Sequence, residues 1–260
     1  MSANLAANMV ALRTIARREI VRIIRIWTQT LIPPVITMTL YFVIFGKLVG
    51  SRIGTIEHGF SYIQYIVPGL VMMSIINNSY MNISSSFFGA KFQRSVEEML
   101  VAPMSNWTIL IGYVIGAVAR GLAVGVLVLL VALLFTHLGV AHLLVAVTAV
   151  ALGATIFALA GFINAIYAKK FDDIALVPTF VIAPLTYLGG VFYSVNMLPA
   201  PWRQLSLANP ILYMVNAFRF GILGISDVSV WIAYVVMLAF VAVLGAIALL
   251  LLHKGVGLRS

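Results

Sequence analysis

The chain has 260 residues, 63% of them hydrophobic and only 9% charged, with no cysteine and a formal charge of +9. A mean hydropathy of +1.11 is above what a water-soluble domain carries, and no polar stretch is long enough to fold as one, so a soluble enzyme or free nucleic-acid binder is excluded. The missing cysteines exclude a disulfide framework and a thiolate metal site.

The opening segment, residues 1–26, is basic. From residue 9 to 26 it reads as an amphipathic helix resting on a membrane surface: Leu12, Ile15, Ala16, Ile20, Ile23 and Ile26 fall on one half, and Arg13, Arg17, Arg18, Arg22 and Arg25 on the other. Its basic stretch is too long for a cleavable signal peptide. Glu19 projects on the apolar side and there needs a cationic partner, from this chain or another. Two roles are open for this helix, a lipid anchor and a contact with a partner protein.

Six apolar segments follow, at 27–46, 60–88, 105–135, 143–168, 174–193 and 228–252. A helix crosses a hydrocarbon core of about 30 Å with some 20 residues, and lone strands or loops cannot satisfy their backbone groups in lipid. The expected fold is therefore an all-α integral membrane protein, a single domain over residues 1–260. An even number of spans puts both termini on one side. That side carries Arg13, Arg17, Arg18, Arg22, Arg25, Lys91, Arg94, Lys169, Lys170, Lys254 and Arg259; the other carries only Lys47, Arg52, Arg203 and Arg219. The positive-inside bias makes both termini cytoplasmic.

The second segment turns polar in its far half, where SIINNSYMNISSSFF (74–88) contains Asn77, Asn78 and Asn82. Either these residues hydrogen-bond between helices, or they line an entry for an amphipathic substrate. The stretch GAKFQRSVEEMLVAP (89–103) then sets Lys91, Arg94, Glu97 and Glu98 between two apolar runs. Read as one helix, Phe92, Val96, Met99 and Leu100 form a narrow apolar stripe, and Pro103 ends the element. A lipid anchor and a docking knob are both open. Two adjacent glutamates suit an anionic inner leaflet poorly.

Arg120 lies within the third segment, where an arginine costs about 2.5–3.5 kcal/mol to insert. Asn164 or a backbone carbonyl is the expected partner, and structural pairing and substrate contact are both open. Gly112 and Gly116, then Ala117, Gly121 and Gly125, have the spacing that lets helices approach closely. Residues 194–224 are broken by Pro199, Pro201, Asn209 and Pro210, yet rich in Trp202, Tyr213, Phe218 and Phe220. Two short helices dipping into the outer leaflet fit this pattern, with Asn209 as N-cap and Pro210 in the first turn. Arg219 there either meets an anionic headgroup or snorkels outward.

All seven acids (Glu19, Glu57, Glu97, Glu98, Asp172, Asp173, Asp227) fall at or outside the expected membrane boundaries, so a proton- or sodium-coupled carrier lacks its ionisable group. His58, His137, His142 and His253 lack ligand spacing, and neither a nucleophile elbow nor a phosphate-binding loop occurs. Active transport by this chain would draw its energy from another subunit.

Two motifs carry a family resemblance. VEEMLVAP (96–103) is similar to the segment after the second span of ABC-2 type permeases, and NPILYMVNAFRFGILG (209–224) resembles their signature ahead of the last span, here Asn209, Pro210, Tyr213 and Arg219. The chain most resembles the YadH-like group of bacterial inner-membrane permeases. The resemblance implies a homodimeric half-transporter bound to two copies of a cytosolic ABC ATPase. ATP and Mg would sit on that ATPase and no cofactor on this chain. It makes 89–103 a coupling helix (Phe92, Arg94, Val96, Glu97, Glu98, Leu100, Pro103), with Glu19 a candidate for a second contact. It also implies re-entrant helices at 194–224, and a path and dimer seam flanked by Tyr41, Phe42, Phe45, Tyr187, Phe192 and Tyr193. Members export drugs, lipids and glycans; the lack of an attached carbohydrate-binding domain favours a hydrophobic or amphipathic substrate. The competing class is a membrane scaffold that docks a cytosolic protein and moves nothing. A lipid-modifying enzyme lacks residues to carry the chemistry.

Overall fold

A computed structural model describes residues 2–54 and 59–257; the expectations for Glu57, His58 and Arg259 lie outside the described residues. The described chain is helical, with no strand among those residues. In order the helices are α1 (Ser2–Arg25), α2 (Trp27–Ile53), α3 (Tyr62–Phe92), α4 (Ser95–Val101), α5 (Asn106–Ala132), α6 (Leu143–Tyr167), α7 (171–187), α8 (Ala200–Leu207), α9 (Pro210–Leu223) and α10 (Val230–Lys254). Four of them, α2, α5, α6 and α10, are long and apolar enough to cross a membrane. At 31 residues α3 has the length, but its asparagines and serines dilute its hydropathy.

That dilution has a packing reason. Helix α3 is the axis of the bundle, and most of its residues are buried against α5, α6 and α9. A helix enclosed by protein can carry polar groups that lipid would not tolerate. Its start is fixed by a capping box: the Ser61 hydroxyl accepts from Gln64 N–H while the Gln64 side chain accepts from Ser61 N–H. The close approach of α5 and α6 to this axis depends on missing side chains. A Cβ on Gly161 would meet the Tyr80 carbonyl at 2.6 Å, and one on Gly121 would collide with the Ser79 hydroxyl.

The core has two parts. One, around Tyr65, Leu70, Met72 and Ile76, joins α3 to α9 and the first half of α6. The other, around Phe87, Tyr113 and Phe162, joins the far half of α3 to α5, α6 and the end of α10. Asn78, Asn82 and Arg120 sit at the level between them.

The N-terminal helix differs from expectation. Asn8 Oδ1 accepts from Ser105 N–H, an offset of 97 residues, and the same offset sets Ile15 against Gly112 and Glu19 against Gly116. A constant offset over three turns means that α1 runs alongside α5 in the same direction. A helix lying flat on the membrane would cross a membrane-crossing partner at a steep angle and touch it at one point. The cause is the Gly112/Gly116 notch, which takes Ile15 and Glu19 where larger residues would hold α1 away.

Candidate functional site

The segment 89–103 is two pieces. Helix α3 runs on to Phe92, the chain turns at Gln93–Arg94, and α4 begins at Ser95. Arg94 has φ 61°, the left-handed region that a non-glycine residue enters at a cost, and this breaks the single helix expected from the spacing. The anticipated stripe is split as well. Val96 is buried in the part of the core around Phe87 and Phe162 with Met99 and Leu100 against it, whereas Phe92 is 69% exposed and rests against Phe171 (ring centroids 5.6 Å). Arg94, Glu98 and Pro103 are exposed, Glu97 is half-buried, and Val101 is 87% exposed. The Lys91 ammonium donates to the carbonyls of Ile166 (2.6 Å) and Ala168 (2.8 Å), tying the end of α3 to orphan carbonyls at the end of α6. A cleft of ≈ 560 Å³ between them is lined by Phe92, Arg94, Glu97 and Lys169. Mixed charge beside exposed apolar rings and a cleft is a surface able to receive a protein partner.

Glu19 is absent from that surface. It is 1% exposed, accepting from Ser86 Oγ (2.7 Å) and Arg22 Nη2 (3.0 Å), with Arg18 at 3.5 Å. Its expected cation comes from its own helix, and it faces the bundle interior. Arg18 also donates to the Tyr113 hydroxyl (2.6 Å).

Of the three asparagines, Asn77 is half-buried beside exposed Met81, while Asn78 and Asn82 are buried. Asn78 Oδ1 accepts from Arg120 (3.2 Å), and Asn82 Oδ1 and main-chain carbonyl accept from Arg22 (2.8 and 3.0 Å). Thus Arg120 pairs with Asn78 rather than Asn164, whose amide instead points to the carbonyls of Asp173 and Ile174 (3.5 Å each). An open face of α3 includes Asn77; Asn78 and Asn82 turn toward the arginines.

Arg219 neither snorkels nor meets open space. It is fully buried on α9, donating to the carbonyls of Gly190 (2.6 Å) and Tyr65 (3.4 Å), with its guanidinium carbon 4.0 Å from the Tyr65 ring centroid and Asp227 at 4.0 Å. Asp227 in turn accepts from Ser194 Oγ (2.9 Å), Val195 N–H (2.9 Å) and the Tyr65 hydroxyl (3.2 Å). Asp227, Tyr65 and Ser194 escape a reading of the sequence as a site, although a lone acid just past the signature arginine is the available signal. The other signature residues are structural too: Asn209 caps α9 by accepting from Ile211 N–H (3.0 Å) with Pro210 in the first turn, and Tyr213 donates to the Leu207 carbonyl (2.7 Å).

Tyr41 and Phe45 on α2 meet the loop after α7. Phe45 and Phe192 are 5.0 Å apart between centroids, Tyr41 and Phe45 5.6 Å, and Tyr187 and Phe192 6.3 Å. Three of the expected path residues, Tyr41, Phe45 and Tyr187, therefore sit with Phe192 in one aromatic cluster.

The arrangement defines an integral membrane protein with a buried polar axis. The ABC-2 type transporter family model matches residues 10–223, and the chain belongs to that family: it is an ABC-2 permease of a transport system. It is 56% identical over 251 residues to the inner membrane transport permease YadH of Escherichia coli (strain K12), covering 96% of this chain and 98% of that protein. It is also 26% identical over 180 residues to nodulation protein J of Rhizobium leguminosarum bv. viciae, 69% of each chain.

Proposed function

We propose that the chain is the membrane subunit of an ATP-driven exporter in the bacterial inner membrane, acting as a homodimer with two copies of a separate ABC ATPase. In this reading six segments cross the bilayer, with α3 and α7 joining the four apolar helices, and both termini are cytoplasmic. Helices α8 and α9 form a re-entrant pair on the outer side. Phe92, Arg94, Glu98 and Val101 dock on the ATPase, which binds ATP and Mg. The path runs between protomers along the Asn77 face of α3 to the aromatic cluster of Tyr41, Phe45 and Tyr187. Its substrate is hydrophobic or amphipathic, such as a drug, a lipid or a lipid-linked glycan.

The observation that carries this reading is the continuity of α3. One rod of 31 residues, roughly 46 Å at helical rise, has the docking turn at one end and the Arg219 site at the other. A push on α4 is carried along that rod toward the re-entrant pair, with Pro68 near its outer end the one ring that cannot donate to the ladder.

The test is affinity capture of the co-expressed ATPase. Phe92→Asp and Glu98→Arg are expected to lower its association at least tenfold with normal membrane insertion. Undiminished capture in both would sink the docking assignment. Substrate-stimulated ATP hydrolysis in liposomes separates an exporter from a scaffold that docks without transport, which predicts none.

A further inference from the structure

At the seam where side chains of α1, α3 and α5 meet, the described residues carry a surplus of positive charge. Ser86, Asn82 and Asn78 stand one turn apart on α3, and receive Glu19, Arg22 and Arg120 in that order. Three guanidinium groups, those of Arg18, Arg22 and Arg120, share one carboxylate, Glu19, which is engaged by the first two. Arg120 has only the neutral Asn78 and lies within electrostatic reach of Arg22. Like charges brought together out of bulk water repel strongly unless an anion joins them.

Hydrogen bonding points the same way. Arg22 Nε, Arg120 Nε and Asn82 Nδ2 are buried donors without an acceptor, and Asn82 is 1% exposed. Three unfilled donors in a cluster of three guanidinium groups and one carboxylate match the needs of an oxyanion, which accepts several charge-assisted hydrogen bonds at once. Access is graded: the Arg18 side chain is 46% exposed and that of Arg22 27%, so the cations lead inward from an open end.

We infer that this seam binds a phosphate- or carboxylate-type anion between Arg22, Arg120 and Asn82. In so far as it serves the path, which rests on the proposed export function, it narrows the substrate to amphiphiles with an anionic head.

The experiment is binding to the purified permease alone in phosphatidylcholine nanodiscs, so failure of ATPase coupling leaves its outcome untouched. The probes are dodecyl phosphate, dodecyl maltoside and inorganic phosphate. Dodecyl phosphate is expected to bind and dodecyl maltoside not to. Competition by inorganic phosphate would identify a free-anion site, and its absence a site for a lipid-borne head; both support the inference. Arg22→Gln and Arg120→Gln are expected to weaken dodecyl phosphate at least tenfold, and the exposed Arg13→Gln to leave it unchanged. Asn82→Asp guards against a merely misfolded variant: it supplies a built-in anion, so it should abolish binding while raising the melting temperature. Equal binding of the two dodecyl compounds, or equal losses in the Arg13 and Arg22 variants, would overturn the site.

Discussion

Asp227 lies 4.0 Å from Arg219 and bonds to both Ser194 and the main chain of Val195, so one carboxylate holds α9, the loop after α7 and the start of α3 together. Removing one partner of a buried pair leaves the other charge uncompensated, at about 3–5 kcal/mol. Asp227→Ala is therefore expected to destabilise the permease by about that much, measured as unfolding in mild detergent. Asp227→Asn leaves the same Arg219 charge unpaired and keeps only one of the two acceptor oxygens, so it should recover only a small part of that loss.

Gly116 is the seat of Glu19. A Cβ there would overlap the Glu19 side chain, and one on Gly112 would come within 2.7 Å of Ile15. Overpacking of this kind costs about 1–3 kcal/mol, and at Gly116 it falls on the carboxylate that ties α1 to Ser86. Gly116→Val is expected to lift α1 off α5, seen as faster cleavage by an added protease between residues 10 and 25. Gly139→Val, where a side chain meets open space, should leave cleavage unchanged.

These contacts mark how far the sequence could be read. The helices announced themselves through apolar runs, and the cap at Asn209 through residue type, because both signals are local. The glycine spacing on α5 announced close packing but not which helix fills each notch. Gly112 and Gly116 receive α1 while Gly121 and Gly125 receive α3, a choice made by tertiary fit alone. The sequence leaves Arg219 either to meet a headgroup or to snorkel, because its two carbonyl acceptors and Asp227 come together only after the chain folds. The break at Arg94 was hidden for another reason: nothing in QRSVEE forbids a helix, and the left-handed residue is imposed by burial of Val96 on one side and the Lys91 tether on the other.

Acid should loosen the start of α7. The Asp173 carboxylate accepts from the backbone N–H groups of Lys169 (2.8 Å) and Lys170 (2.9 Å), and these bonds hold its pKa below the ordinary 3.8. A lowered carboxylate pKa means the unfolded state takes up protons first as pH falls, so the contribution is whole above 3.8 and fades as pH drops through the folded value. Amide exchange at Lys169 and Lys170, corrected for intrinsic rates, should show protection that is constant from pH 7 to 5 and falls below pH 4. Asp173→Asn should reduce that protection at pH 6 and remove its acid dependence.

Arg94 allows charge and geometry to be separated at the turn between α3 and α4. Its left-handed backbone costs an ordinary residue about 1–2 kcal/mol, and glycine adopts it without strain. Arg94→Gly is expected to keep the turn and the placement of α4 and to leave stability unchanged or slightly raised, since relief of strain offsets the greater freedom of the unfolded chain. Arg94→Val keeps the chain length but worsens the strain, and should destabilise α4 by about 1–2 kcal/mol. If the guanidinium itself contacts the ATPase, capture by Arg94→Gly falls despite an intact turn, whereas Arg94→Lys retains most of it. If only the shape of the turn matters, Arg94→Gly captures like the native chain and Arg94→Val does not. The two patterns are opposite, so one capture series with a melting measurement on each variant decides between charge recognition and shape recognition at this turn.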